Sequence, residues 1–118
     1  MSPIRAVVDL EALRANLRCV RALAPRSPVM AVIKANSYGH GALRVAAALE
    51  TVSVDAYAVA RLDEALQLRA AGISRIVCEG GPTLLAHLGA HGLLDELCLT
   101  TAPVWLGGAD LRLSVPLP

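Results

Sequence analysis

Phenylalanine is absent from this 118-residue sequence, and only one Trp and two Tyr are present. Any core must therefore be aliphatic, built from Leu, Val, Ile and Ala through many small contacts. An excess of one charge is lacking too: 11 Lys and Arg stand against 10 Asp and Glu, a formal net charge of +1. That balance leaves no electrostatic footprint for nucleic acid, so no nucleic-acid partner is expected. Cysteine is sparse and odd in number (Cys19, Cys78 and Cys98), with no CxxC pair. Neither a zinc site nor a disulfide framework is indicated, and buried thiols in a reducing compartment are expected. The first residues lack the basic start and apolar core of a signal peptide, and no uncharged apolar run reaches bilayer-spanning length. The expectation is a soluble, cytoplasmic protein with no membrane partner.

What is present points to a folded chain. Hydrophobic residues make up 55% and charged residues 18%, enough apolar content for one modest core and a single α/β domain over 1–118. Short apolar runs alternate with helical stretches, the signature of βα units. The pattern predicts an open, mainly parallel sheet of about five strands with helices on both faces. The strands are expected at 5–8, 29–33, 55–60, 73–78 and 97–102. A further edge strand is conceivable near 111–116, where Pro116 argues against a central position.

Asp9 is a natural N-cap for a first helix, along which Leu10, Leu13, Leu17, Val20 and Leu23 recur at helical spacing. A glycine-bearing loop, Asn36-Ser37-Tyr38-Gly39-His40-Gly41, precedes a second helix over 42–50. A third helix spans 62–71, with Asp63 and Glu64 in its positive first turn and Gly72 as its stop. A fourth opens at Pro82, whose missing N–H costs nothing at a first helical position, and runs to Gly92.

Lys34 is the most informative single residue. It ends an apolar strand, at the carboxyl edge where α/β folds gather their chemistry. Partial desolvation would favour the neutral amine that attacks an aldehyde. The alternative is a solvated lysine with its stem packed and its head in water. Residues 79–83, Glu79-Gly80-Gly81-Pro82-Thr83, have two readings as well. Paired glycines before a helix N-terminus can admit an anion, or simply make a tight strand-to-helix turn. His87 and His91 are four apart, a spacing that can chelate a metal, but no third ligand is evident and surface histidines are expected. Arg61 could face an anion or pair with Asp63 or Glu64.

The stretch Ala31-Val32-Ile33-Lys34-Ala35-Asn36-Ser37-Tyr38-Gly39-His40-Gly41 resembles the pyridoxal-phosphate lysine motif of alanine racemases. The resemblance includes Val8-Asp9-Leu10-Glu11-Ala12-Leu13 upstream. Downstream it takes in Asp55-Ala56-Tyr57-Ala58-Val59-Ala60-Arg61-Leu62-Asp63-Glu64-Ala65 and Leu68-Arg69-Ala70-Ala71-Gly72-Ile73, and so covers residues 1–73. It implies that Lys34 carries the cofactor covalently and acts as one of two acid/base groups, with Tyr38 beside the cofactor. The implied fold is a (β/α)8 barrel followed by a β-rich domain. In that family the second acid/base group is a tyrosine from the partner subunit's C-terminal domain. Groups for the phosphate and the pyridine nitrogen come from later strands, none of them recognisable in these 118 residues.

Residues 74–118 resemble a different family. Ile76-Val77-Cys78-Glu79-Gly80-Gly81-Pro82-Thr83-Leu84, then Gly92-Leu93-Leu94-Asp95-Glu96-Leu97 and Thr101-Ala102-Pro103-Val104-Trp105-Leu106-Gly107-Gly108, are similar to the reductase domain of riboflavin biosynthesis. That likeness implies NADPH phosphates near Glu79, Gly80, Gly81 and Thr83. Together the two resemblances imply a chimera, recombined or designed, without native catalytic activity. A pyridoxal-phosphate binder or residual racemase acting through Lys34 is the first alternative, and a nucleotide or anion binder at residues 79–83 the second. Retention of pyridoxal phosphate is not expected, nor is NADPH binding. Open sheet edges leave homo-oligomerisation open.

Overall fold

The computed structural model describes residues 3–103. Three parallel strands form one sheet in the order β1-β2-β3: β1 (Met30–Val32), β2 (Ala56–Val59) and β3 (Ile76–Cys78). Helices α1 (Leu10–Leu23), α3 (Ala42–Glu50) and α4 (Leu62–Ala70) accompany them, with a short element α2 (Lys34–Tyr38) directly after β1 and α5 (Pro82–Ala90) after β3. The chain divides into one compact unit up to Glu79 and a second from Gly80 onward.

The first unit explains itself from its sequence. Asp9 caps α1 by accepting the N–H groups of Glu11 (2.9 Å) and Ala12 (3.0 Å), satisfying amides that have no partner within the helix. Strand register puts Ala31, Tyr57 and Ile76 on one face of the sheet and Val32, Ala58 and Val77 on the other. On the first face an aliphatic cluster forms around Tyr57 and Val59, contributed by Leu17, Ile33, Val45, Ala46, Leu49 and Leu68. Helices α1, α3 and α4 all send residues into it.

The expected arrangement is corrected in four respects. Among the described residues there are three strands, not about five. Residues 5–8 and 97–102 are irregular and exposed, and among the described residues neither segment has a neighbour with which it exchanges ladder hydrogen bonds. The expected edge strand near 111–116 lies outside the described residues. Helices α1, α3 and α4 pack on the Tyr57 face alone, while Met30, Val32 and Val77 stay 42, 45 and 40% exposed on the other. Of the cysteines expected to be buried, only Cys78 is part-buried; Cys19 and Cys98 are exposed.

In the second unit, α5 begins as expected at Pro82, with Gly81 as N-cap. A Cβ on Gly80 would stand 2.4 Å from Leu84 Cδ2 and 3.1 Å from its Cβ, so any side chain there would push Leu84 from its present position. No described helix is long and apolar enough to cross a membrane.

Candidate functional site

In a parallel sheet the carboxyl ends of all strands share one rim, where backbone groups lose their ladder partners and side chains can converge. Lys34 follows β1 at that rim, Ala60 and Arg61 follow β2, and Glu79 follows β3, its N–H donating to the Val59 carbonyl at 2.9 Å. Lys34 is the only lysine in the 118-residue sequence, beside ten arginines.

The glycine-bearing loop expected after Lys34 is instead a left-handed helical turn. Ala35, Asn36, Ser37 and Tyr38 all have positive φ, between 51° and 54°. L-residues pay about 1–2 kcal/mol each for that conformation, so the turn persists only if its surroundings over-determine it. Several do. The Ser37 N–H donates to the Ile33 carbonyl (2.8 Å) and Gly41 N–H to the Asn36 carbonyl (3.0 Å), with Ser37 itself buried. Asn36 Oδ1 accepts the Ala42 N–H (2.8 Å) and so tethers the turn to α3. Gly39 and Gly41, with φ of 84° and 89°, carry the chain out of the turn where a side chain would be strained.

Glu64, in the first turn of α4, closes the arrangement. One carboxylate oxygen accepts the Ala35 N–H at 2.6 Å and the other the Ala60 N–H at 3.1 Å. Beside it lies a cavity of about 560 Å³, bordered among others by Ile33, Ala35, Asn36, Val59, Arg61 and Glu64. That size is within the usual range for small-ligand pockets, about 300–1,000 Å³. Arg61 pairs with Asp63 (2.8 Å), which raises the guanidinium pKa and lowers that of the carboxylate. Of the partners considered for Arg61, Asp63 is therefore the one it takes.

The residues singled out from sequence separate into two groups. Lys34 is exposed at the rim, with Tyr38 (60% exposed) ending the turn it begins; Glu79 follows a strand of the same sheet. Gly80, Gly81 and Thr83 belong to the second unit, where Gly80 is explained by its approach to Leu84. Tyr57 is 1% exposed; its hydroxyl lies 3.0 Å from the Ala46 carbonyl and 2.9 Å from Glu50 Oε1, and burial drives its pKa upward. It faces the core, away from any chemistry at the rim. Burial and the Glu64 charge push the Cys78 thiol up, making it a poor nucleophile. His87 and His91 are exposed, and among the described residues no three His, Cys, Asp or Glu groups converge on a possible metal position. Sequence reasoning missed Asn36 and the cross-chain reach of Glu64. The position of Glu64 three residues into a helix signals a reach back to the preceding backbone, but nothing local signals its contact 29 residues away.

Three parallel βα units with helices on one sheet face are consistent with a fragment of a βα barrel, a fold whose helix-free strand face lines the interior. The chain belongs to the family described as alanine racemase, N-terminal domain, which matches residues 8–93. It is 60% identical over 119 aligned residues to an alanine racemase of Nitrosococcus oceani, covering 86% of this chain and 33% of that protein. An alanine racemase of Shewanella loihica is 57% identical over 93 residues, covering 75% of this chain and 25% of its own. Among solved structures, the biosynthetic alanine racemase of Pseudomonas aeruginosa aligns with a TM-score of 0.63 at 40% identity, over 72% of this chain and 24% of that one. The alanine racemase of Bartonella henselae with covalently bound pyridoxal phosphate aligns with a TM-score of 0.55 at 35% identity, over 60% of this chain and 20% of that one. The chain thus spans a third or less of the length of these relatives. The family match runs through Ile73 to Leu93, so the racemase likeness does not end where the sequence pattern suggested. These comparisons lend no support to a reductase segment or a chimera.

Proposed function

We propose that this chain supplies the lysine-bearing rim of an alanine-racemase-type site and captures pyridoxal phosphate through Lys34. The observation that carries this reading is the placement of the sole lysine just after β1, at the head of a left-handed turn whose Ala35 and Asn36 border a ligand-sized cavity. When bound, pyridoxal phosphate supplies an aldehyde that condenses with an amine with loss of one water, and an electron sink that acidifies a substrate α-proton. The residues present fit that chemistry. Lys34 offers an exposed amine, Tyr38 lies at the far end of the same turn, and the cavity wall mixes apolar Ile33, Leu43, Val59 and Leu68 with polar Asn36, Arg61 and Gln67 and the carboxylates of Asp63 and Glu64.

Racemisation moves a proton between two faces and needs an acid/base group on each. Lys34 can hold or release a proton at Nζ on one face. Tyr57 is committed to the core, so the described residues provide no second group placed to act on the other. We therefore expect capture of the aldehyde without interconversion of L- and D-alanine by these residues alone. The nucleotide-binding alternative at residues 79–83 is weaker, since the Gly80–Leu84 approach already accounts for a glycine there.

The test is to incubate the full 118-residue chain with pyridoxal phosphate, reduce with borohydride and map the label by mass. The expected label is on Lys34 and is absent in Lys34→Ala. Labelling confined to the amino terminus, or equal in parent and variant, would defeat the proposal.

A further inference from the structure

We infer that Glu64 is a positioning residue for Lys34. Its carboxylate ties the left-handed turn that the lysine begins to the end of β2. The inference rests on the reading of Lys34 as the aldehyde-capturing group.

Ala35 directly follows the lysine, so its peptide plane is the one through which the Lys34 backbone is oriented. Its N–H stands at the end of a strand and at the start of a turn of reversed hand, where the ordinary helical acceptor four residues earlier is not available. Ala60 N–H is in the corresponding position at the end of β2. A single carboxylate, having two acceptor oxygens, satisfies both the exposed Ala35 amide and the part-buried Ala60 amide. Bonds to an ionised acceptor are shorter and stronger than neutral ones, in keeping with the 2.6 Å contact to Ala35. The Asn36 contact holds the far side of the turn, to α3. The Glu64 contact holds the near side, where the lysine emerges. A glutamate serving only its own helix would need the Ala60 bond alone; the second bond, to the residue after Lys34, is the feature that links it to the site.

The choice of variant follows from the geometry. Glutamine has the same shape but one acceptor oxygen, and its amide nitrogen would confront the second N–H donor to donor. Glu64→Gln in the full chain should therefore weaken pyridoxal phosphate capture at Lys34 about tenfold, read from borohydride-trapped label against cofactor concentration. Exchange of the Ala35 amide with solvent should quicken by a similar factor, about tenfold. Glu11→Gln, a remote surface change on α1, should alter neither. If the Glu64→Gln chain loses its far-ultraviolet circular dichroism, Glu64→Asp takes its place. The shorter arm still reaches Ala60 nearby but not Ala35, so the same two losses are expected.

Unchanged capture together with faster exchange at Ala60 alone would make Glu64 a helix-capping residue and overturn the inference. Should the parent chain capture no pyridoxal phosphate, the functional reading of Lys34 falls, and a role in positioning it for that chemistry falls with it. Exchange at Ala35 keeps the two failures apart. Exchange that quickens in Glu64→Gln shows the tie to be real and the lysine's chemistry misread, whereas unchanged exchange shows the tie itself to be absent.

Discussion

Residues up to Glu79 and those from Gly80 onward differ in how their backbone is satisfied. In the first region three strands exchange hydrogen bonds across long sequence separations, and a Tyr57-centred cluster draws on three helices. In the second, the described order consists of α5, with Ala86 and Leu88 buried, followed by residues 93–103 that form no regular element and leave Leu93, Leu94, Leu97 and Leu99 between 41 and 57% exposed. Apolar content is high in both. The lesson is that hydrophobicity alone does not make a strand: β2 becomes one because β1 and β3 flank it, and residues 97–102, also rich in apolar side chains, have no such neighbours among the described residues.

The contrast can be broken most forcefully at Leu68, which is 1% exposed. Leu68→Ala should cost about 2–5 kcal/mol in denaturant unfolding, through lost transfer energy and an unfilled cavity. Leu94→Ala in the second region should stay within about 0.5 kcal/mol. Equal effects would mean that the two regions share one core. A smaller effect is expected from Tyr57→Phe, which leaves the ring but removes the hydroxyl joined to Ala46 and Glu50, a loss of about 1–2 kcal/mol by the same measurement.

Acid should act on the first region through Asp55. The Val29 N–H (2.7 Å) is the main cause that lowers its pKa, and Arg21, which also binds the Ser53 carbonyl, adds to it. A carboxylate whose folded pKa lies below the ordinary 3.8 contributes its stability above that value and loses it as pH falls through the lower, folded value. Thermal unfolding of Asp55→Asn should therefore decline less steeply below pH 3.8 than that of the parent; parallel slopes would exclude Asp55 as a source of acid sensitivity. The mildest test is amide exchange, expected to be slowest in β2 and fastest over residues 93–103.

Much of this is legible in the sequence alone. Asp9 as N-cap, the apolar spacing along α1, the bounds of α3 and α4 to within a residue or two, and Pro82 at the start of α5 all follow from interactions a few residues long. Lys34 at a strand's carboxyl end was legible for the same reason, since an apolar run that stops at a charge marks its own boundary. The left-handed turn was not: Gly39 and Gly41 announce a change of direction, but four consecutive non-glycine residues with positive φ contradict local preference. They are held there by contacts from α3 and α4 that no window of sequence contains. The strands expected at 5–8 and 97–102 failed by the opposite route, their local preference being satisfied while the described residues place no pairing neighbour beside them.

Local sequence determined the helices with their caps, the aliphatic character of the core and the lysine at the end of β1, because short-range sterics and hydrogen bonding decide each of these within one or two turns of chain. Only the tertiary structure decided which apolar runs became strands, which sheet face was covered, and that Glu64 would meet the amide beside Lys34. Each of those depends on partners tens of residues away, whose approach is set by packing.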